Sequence, residues 1–250
     1  NLPEFLQERT TIVVQPHEKH LYDGYPIVVL PKDWMGISRT RKFILEYAGK
    51  NLFGMLDDDF ELRRRFAESP TKRPLTKEDW HEFYDTIIEW LNTDCTFAGV
   101  RRGNLPPVGK NTMDNTESLC LTFYNGNKLP NMDSLIWNHD LVSEDVNFHL
   151  QLLIKGHRNR VWCKYGYICK WAQEGGCQSG INPRTVELIN SSHERLIELY
   201  PNFVKWTIKN GKQHIAGLSQ GLSFDKGYKA IKVFYSNAYK SSRIKTLNFE

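Results

Sequence analysis

The sequence predicts an α/β protein, and three observations predict it. Short β-branched runs recur in the first sixty residues, stretches of helical period follow them, and turn residues stand between the two. Strands joined through helices pair in parallel, so the expected architecture is a central, mostly parallel sheet flanked by helices. The 250 residues can bury a large core as a single domain over 1–250. Charged residues make up 25% and hydrophobic ones 40%, an ordinary soluble composition. No apolar run approaches the roughly 20 residues that span a bilayer, and no signal peptide is visible. No membrane partner and a cytoplasmic location are therefore expected. Five cysteines, Cys95, Cys120, Cys163, Cys169 and Cys177, form no C-x-x-C pair and read as free thiols of a reducing compartment. Cys163, Cys169, Cys177 and His193 have the wrong spacing for zinc.

Taken in order, Thr11–Gln15 and Tyr25–Leu30 read as strands, the second ended by Pro31. Gly36–Arg41 opens a helix with Ser38 as N-cap. Phe43, Ile44, Tyr47 and Ala48 share a face of it, and Gly49 suits the position after its end. Leu52–Leu56 follows as a strand, expected to run parallel to the strand before the helix. Thr76 caps a second helix, Asp79 completes a capping box, and Trp80, Phe83, Tyr84, Ile87, Ile88 and Leu91 form its apolar stripe. Leu119–Phe123 is a further strand, with Asn125-Gly126 as a turn. Val146–Lys155 fits both a strand and a helix. Ser143 as cap and two acids in the first turn favour the helix. A late helix runs from Pro183 to Pro201 with Val186, Ile189, Leu196 and Ile197 inward, and Ala230–Tyr235 is a strand.

The chemistry concentrates where the strand Leu52–Leu56 meets Asp57-Asp58-Asp59. Carboxylates cannot be buried unpaired, and ligands of open α/β sheets gather at the carboxyl ends of strands. Alternate residues share a face, so Asp57 and Asp59 can approach one Mg²⁺ or Mn²⁺ that grips the phosphates of a nucleotide. A solvated turn would have the same composition. Arg39 and Arg41, near a helix N-terminus, suit phosphates or a base edge, and equally an ordinary surface. Glu144 and Asp145 are helix-start acids that can cap, or can take a proton from an acceptor hydroxyl. Charge is uneven: Pro201–Glu250 carries nine Lys and Arg against two acids, a net of +7, which leaves −3 for the first 200 residues of the total +4. That asymmetry suits a polyanionic partner, or a solvated basic face.

These motifs, in this order, resemble those of GT-A-fold glycosyltransferases: a Gly…Arg helix, a strand ending in Asp-x-Asp and a later Glu-Asp pair. Their spelling is more particular. Ile12-Val-Val-Gln-Pro-His-Glu18 with Tyr22, Gly36-Ile-Ser-Arg-Thr-Arg41, Leu56-Asp-Asp-Asp-Phe60, Ser143-Glu-Asp-Val-Asn-Phe-His-Leu150 and Ser191–Lys205 resemble the TET-associated glycosyltransferases, found largely in bacteriophages. The resemblance spans about Thr11 to Lys205. It implies a Rossmann-like GT-A domain that moves a sugar from a nucleotide-sugar, UDP-linked in expectation, to the hydroxyl of a hydroxymethylated pyrimidine in DNA, in the host cytoplasm where the source is a phage.

By the same resemblance Asp57 and Asp59 hold the metal, while Arg39, Arg41, Asp58, Asp57 and Gln15 meet the donor. Asp145, with Glu144 as near alternative, is the base of an inverting displacement, and His193 and His214 are candidates to complete the metal shell. Asn1–Arg9 looks like the helix that follows the first GT-A strand, so that strand is expected before residue 1. The basic segment 201–250, extended by Arg101-Arg102 and Arg158–Arg160, would track phosphates. A base would have to leave the duplex to react, and Tyr124, Trp137 or Trp162 could stack on it or be core aromatics. The alternatives are the same fold acting on a protein or glycan, and a catalytically idle domain that binds nucleic acid.

Overall fold

In the computed structural model, which describes residues 2–57, 60–66, 69–137, 142–169, 185–213, 222–223 and 226–247, helices and strands interleave as expected. A short helix α1 (Glu4–Gln7) leads to β1 (Ile12–Val14), and β2 (Ile27–Val29) pairs with it in parallel, Val13 opposite Val28. Then come α2 (Ile37–Ala48), β3 (Leu52–Leu56), β4 (Phe60–Phe66), β5 (Ser69–Pro74) and α3 (Lys77–Asn92). The middle of the chain forms β6 (Phe97–Arg102), β7 (Thr112–Asp114), β8 (Leu121–Asn125), α4 (Glu144–Ile154) and β9 (Asn159–Cys169). The last part holds α5 (Val186–Leu199), β10 (Val204–Lys209), the short β11 (Lys212–Gln213) and β12 (Leu222–Ser223), β13 (Tyr228–Val233) and α6 (Tyr235–Leu247).

The main sheet has seven strands in the order β3-β8-β6-β9-β4-β5, with β7 also paired to β9. It corrects the expectation of a mostly parallel sheet, because β6–β9 is its one parallel pairing among the described residues. The expected parallel partnership of the strands on either side of α2 does not form. β2 pairs with β1, whereas β3 takes the sheet edge, antiparallel to β8, with Gly54 opposite Phe123. Two residues separate β4 from β5, and so short a connection permits only an antiparallel pair.

The sheet is covered on both faces. Adjacent residues of a strand point to opposite sides, and β8 shows it: Phe123 meets Phe83 of α3, while Tyr124 bonds His149 of α4. α3 forms as its sequence dictates, with the Thr76–Asp79 capping box in place and Phe83, Ile87 and Leu91 buried. Other expectations need correcting. Gly36, at φ 78°, takes the N-cap position of α2, and Ser38 lies buried inside the helix. Leu45 is the buried apolar residue of α2, Ile44 packs against the core as expected, and Tyr47 is 63% exposed. Gly49 ends that helix at φ 59°, with its N–H on the Leu45 carbonyl. α4 exists as a helix, but Ser143 holds a left-handed φ of 67° and makes no side-chain cap. Glu144 and every residue from Val146 to Leu153 are buried. A helix enclosed on nearly all sides has no polar face to set its period, which is why this stretch suited a strand as well.

β8 begins two residues later than expected, and Asn125 accepts the Asn127 N–H to open a 3-10 turn instead of a tight hairpin. Thr185 caps α5, which buries Ile189 and Leu196. The core is continuous from Leu45 to Ala238, so α5, β10, β13 and α6 build on the same interior as the main sheet.

Candidate active site

Three elements deliver the charged residues. β3 ends at its exposed rim on Asp57, α2 turns Arg41 inward, and α4 begins with Glu144 and Asp145. Arg41 joins them. Its Nη2 donates to Asp57 Oδ1 at 3.0 Å, and its Nε lies 3.0 Å from Glu144 Oε1. The Arg41 side chain is 13% exposed, Glu144 9% and Asp57 34%, so the pair to Glu144 is dry and Asp57 reaches toward solvent. Arg41, Glu144 and Asp145 line a cleft whose apolar walls are Leu45, Met55, Trp137 and Phe148. Its cavity volume is about 10 Å³, far below the roughly 300 Å³ where small-molecule sites begin. These walls alone therefore do not enclose a nucleotide-sugar.

The electrostatics follow from counting charges. Three carboxylates surround one guanidinium. Burial disfavours the Arg41 charge, but Glu144, Asp57 and Asp145 outweigh it and hold the pKa above its ordinary value. Glu144 is pushed up to about 7, by burial first and the Asp145 carboxylate second, with Arg41 opposing. Beneath them Tyr124 Oη and His149 Nε2 share a hydrogen bond of 2.7 Å. Burial lowers His149 to about 4, so its imidazole is neutral. Asp145 and His149 are four residues apart on α4, a spacing that puts both on one face. The Asp145-x-x-x-His149 spacing is the sequence signal for that pairing.

The structure brings together Arg41, Asp57, Glu144 and Asp145 of the expected set. The Asp57 carboxylate meets Arg41, and among the described residues no group of three His, Cys, Asp or Glu is arranged to hold an ion. Asp58, Asp59 and His214 lie outside the described residues. Arg39, two residues before Arg41 on α2, is not in the cleft lining, since residues two apart on a helix face different ways. Gln15 is buried and accepts the Trp34 N–H at 2.8 Å, a structural tie between the β1 and β2 regions. His193 sits on α5 with its ring 5.9 Å from Trp206, and also does not line the cleft.

Two of the three candidate stacking rings are core residues. Tyr124 and Trp162 are buried, and Trp162 packs on Phe83 and Tyr165. Trp137 stacks on Phe148 at the cleft wall. Most of the expected basic extensions are paired: Arg158 and Arg160 both with Asp94 and Asp114, and Arg102 with Glu117, while Arg101 donates to the Pro106 carbonyl. Cys95, Cys120 and Cys163 are free thiols, as expected, and burial pushes Cys95 up to about 12. No helix among the described residues is long and apolar enough to cross a membrane.

Among the described residues the cleft is lined by two carboxylates, Glu144 and Asp145, and one guanidinium, Arg41, and such a carboxylate can take a proton from a hydroxyl-bearing substrate, as carbohydrate-transferring enzymes require. The chain belongs to the TET-associated glycosyltransferase family, whose model matches residues 1–176, and it is a glycosyltransferase. It is similar to the beta-glucosyl-HMC-alpha-glucosyl-transferase of Enterobacteria phage T2, at 30% identity over 224 residues, covering 80% of this chain and 75% of the relative. The protein of the same name from Enterobacteria phage T6 is 29% identical over 220 residues, with the same coverage of each. No solved structure matches the chain.

Proposed function

We propose that this protein transfers a sugar from a nucleotide-sugar to the hydroxyl of hydroxymethylcytosine in DNA, with Asp145 as the base. The observation that carries the reading is the pairing of Arg41 with Asp57 and Glu144 beside the cleft that Arg41, Glu144 and Asp145 line, in a chain of this family. Arg41 fixes the end of β3 against the start of α4. Glu144 is committed to Arg41, which leaves Asp145 as the lining carboxylate to accept the hydroxyl proton as the oxygen attacks the anomeric carbon. Tyr124 and neutral His149 support the base from beneath. The relatives' names supply the acceptor class. They also name a glucosylated HMC, so a sugar already on the base is a second acceptor to try.

A single GT-A-type domain over 1–250 and a divalent ion, Mn²⁺ or Mg²⁺, at Asp57 and Asp59 belong to the proposal on the order of the motifs alone. When bound, such an ion would supply positive charge for a departing nucleoside diphosphate. Action in a host cytoplasm is proposed from the phage origin of the relatives.

The test is mass spectrometry of nucleosides after incubating hydroxymethylated DNA, bare and β-glucosylated, with a panel of nucleotide-sugars, with and without EDTA. The expected result is a gain of one sugar that Asp145→Asn reduces by roughly 10²–10⁴-fold. No gain from any donor would overturn the function, and transfer surviving EDTA would remove the ion. The product anomer tests the inverting displacement. The relatives are named for an alpha linkage, and an α product from an α donor would end the single-displacement role of Asp145.

A further inference from the structure

Residues 204–233 lie beyond the span that the family model matches, yet they are bound to the acid-bearing helix. Tyr200, at the turn before β10, donates from its hydroxyl to Asn147 Oδ1 at 2.6 Å, and Asn147 is two residues past Asp145 on α4. Val204 at the start of β10, and Tyr235 and Ala238 just after β13, are buried in the common core. The ribbon β10–β13 is thus anchored beside the cleft's catalytic helix.

Its register is unusual in charge. β10 and β13 pair antiparallel with Lys205 directly opposite Lys232, and Lys209 opposite Tyr228 on the same face. Opposed residues of such a ribbon stand roughly 4.5–5.5 Å apart at Cβ, and like charges there are destabilising. All three lysines are exposed, and among the described residues none pairs with a carboxylate. Neither strand contains an acid. The opposite face is differently made. There Lys229 lies 4.4 Å over the Trp206 ring, and Trp206 in turn meets His193 of α5. Elsewhere in the molecule comparable cations are matched: Arg158 and Arg160 by two aspartates, Lys164 by Glu82. On the Lys205 face the relief among the described residues is the Phe234 ring, 5.1 Å from Lys232 Nζ, and no carboxylate answers the opposed lysines.

We propose that the Lys205, Lys209 and Lys232 face of this ribbon is the surface that grips the phosphate backbone of the acceptor DNA and presents the strand to α4. This rests on the DNA reading of the function and goes beyond it by assigning the surface. Phosphates would supply the counter-charge that the chain itself withholds, and each lysine on a phosphate steepens the fall of log affinity with log salt by about 0.9. Three contacts account for a slope of about 2.7, or roughly a fortyfold loss of affinity between 50 and 200 mM salt.

The experiment is fluorescence anisotropy of a labelled hydroxymethylated duplex, titrated at several salt concentrations with the full chain and with Lys205→Gln/Lys209→Gln/Lys232→Gln. The variant is expected to lose two to three units of slope and to raise KM for DNA with kcat largely kept. Its melting temperature without DNA should rise as the repulsion is removed. The triple Lys→Arg variant should restore both the slope and KM, which a merely misfolded ribbon would not. If the wild type binds and glycosylates DNA and the Gln variant keeps its slope and KM, the surface lies elsewhere and the function stands. If the wild type binds no DNA at any salt, both readings fall together.

Discussion

Arg41 and the pair Arg158–Arg160 are both held by acids, and the contrast between them separates a site from a brace. At the far end of β9, two arginines meet two aspartates, charges balance, and every partner is between a fifth and two-fifths exposed. At the cleft, one arginine pairs with two carboxylates and feels a third, and the Arg41–Glu144 pair is dry while Asp57 reaches solvent. Water can screen the first cluster and substitute for any lost member. The second has no such reserve, so imbalance persists in it only because the surrounding packing holds it. Charge excess in a buried place, more than the number of charged residues, marks the candidate site.

The largest expected effect tests the dry cluster. Arg41→Ala strands Glu144 without its partner, and should cost about 3–5 kcal/mol of unfolding free energy along with sugar transfer. Urea unfolding that moved by less than 1 kcal/mol would erase the contrast drawn above.

The second effect concerns pH. Glu144, raised from its ordinary 4.5 to about 7, binds its proton more tightly in the folded state, so its contribution falls as pH rises through that window. His149, lowered from 6.5 to about 4, does the opposite and gains as pH rises through 4 to 6.5. Each is worth on the order of 3 kcal/mol, and where the windows overlap they offset, leaving a nearly flat profile. Glu144→Gln should uncover the His149 trend, so that stability climbs from pH 4.5 to 6.5. Parallel profiles for variant and wild type would show that Glu144 does not titrate there. The smallest effect belongs to the balanced cluster. Arg158→Ala should change stability by no more than about 1 kcal/mol, and less in high salt, with transfer unaltered.

How much of this could be read in advance depended on whether the signal was local. The α3 capping box was legible because Thr76 and Asp79 answer each other within one turn. The α4 assignment survived an ambiguous pattern because two acids marked its start. The sheet was not legible. Whether β3 sits beside β2 or beside β8 is decided by contacts some seventy residues away, such as Phe123 lying across Gly54, where an added Cβ would come within 2.6 Å of the ring. β4 escaped notice because Glu61, Arg63, Arg64 and Arg65 mask its alternation. At the site, each acid was found, but the role of Arg41 was not, since a residue that bridges two distant elements announces neither. Tyr124 and Trp162 read as candidate stacking rings for the same reason that they make good core: both are large flat surfaces.

The enclosure of α4 has a practical meaning for anyone dividing this gene. Its Leu150, Leu152 and Leu153 have no exposed surface, and they share one core with Tyr200, Tyr235 and Ala238 from beyond residue 176. A fragment trimmed to the stretch that carries the family signature would present bare leucines to solvent next to its own acids. A truncation at residue 176 is therefore expected to aggregate when expressed by itself, and swaps between relatives should exchange the two portions as one cassette.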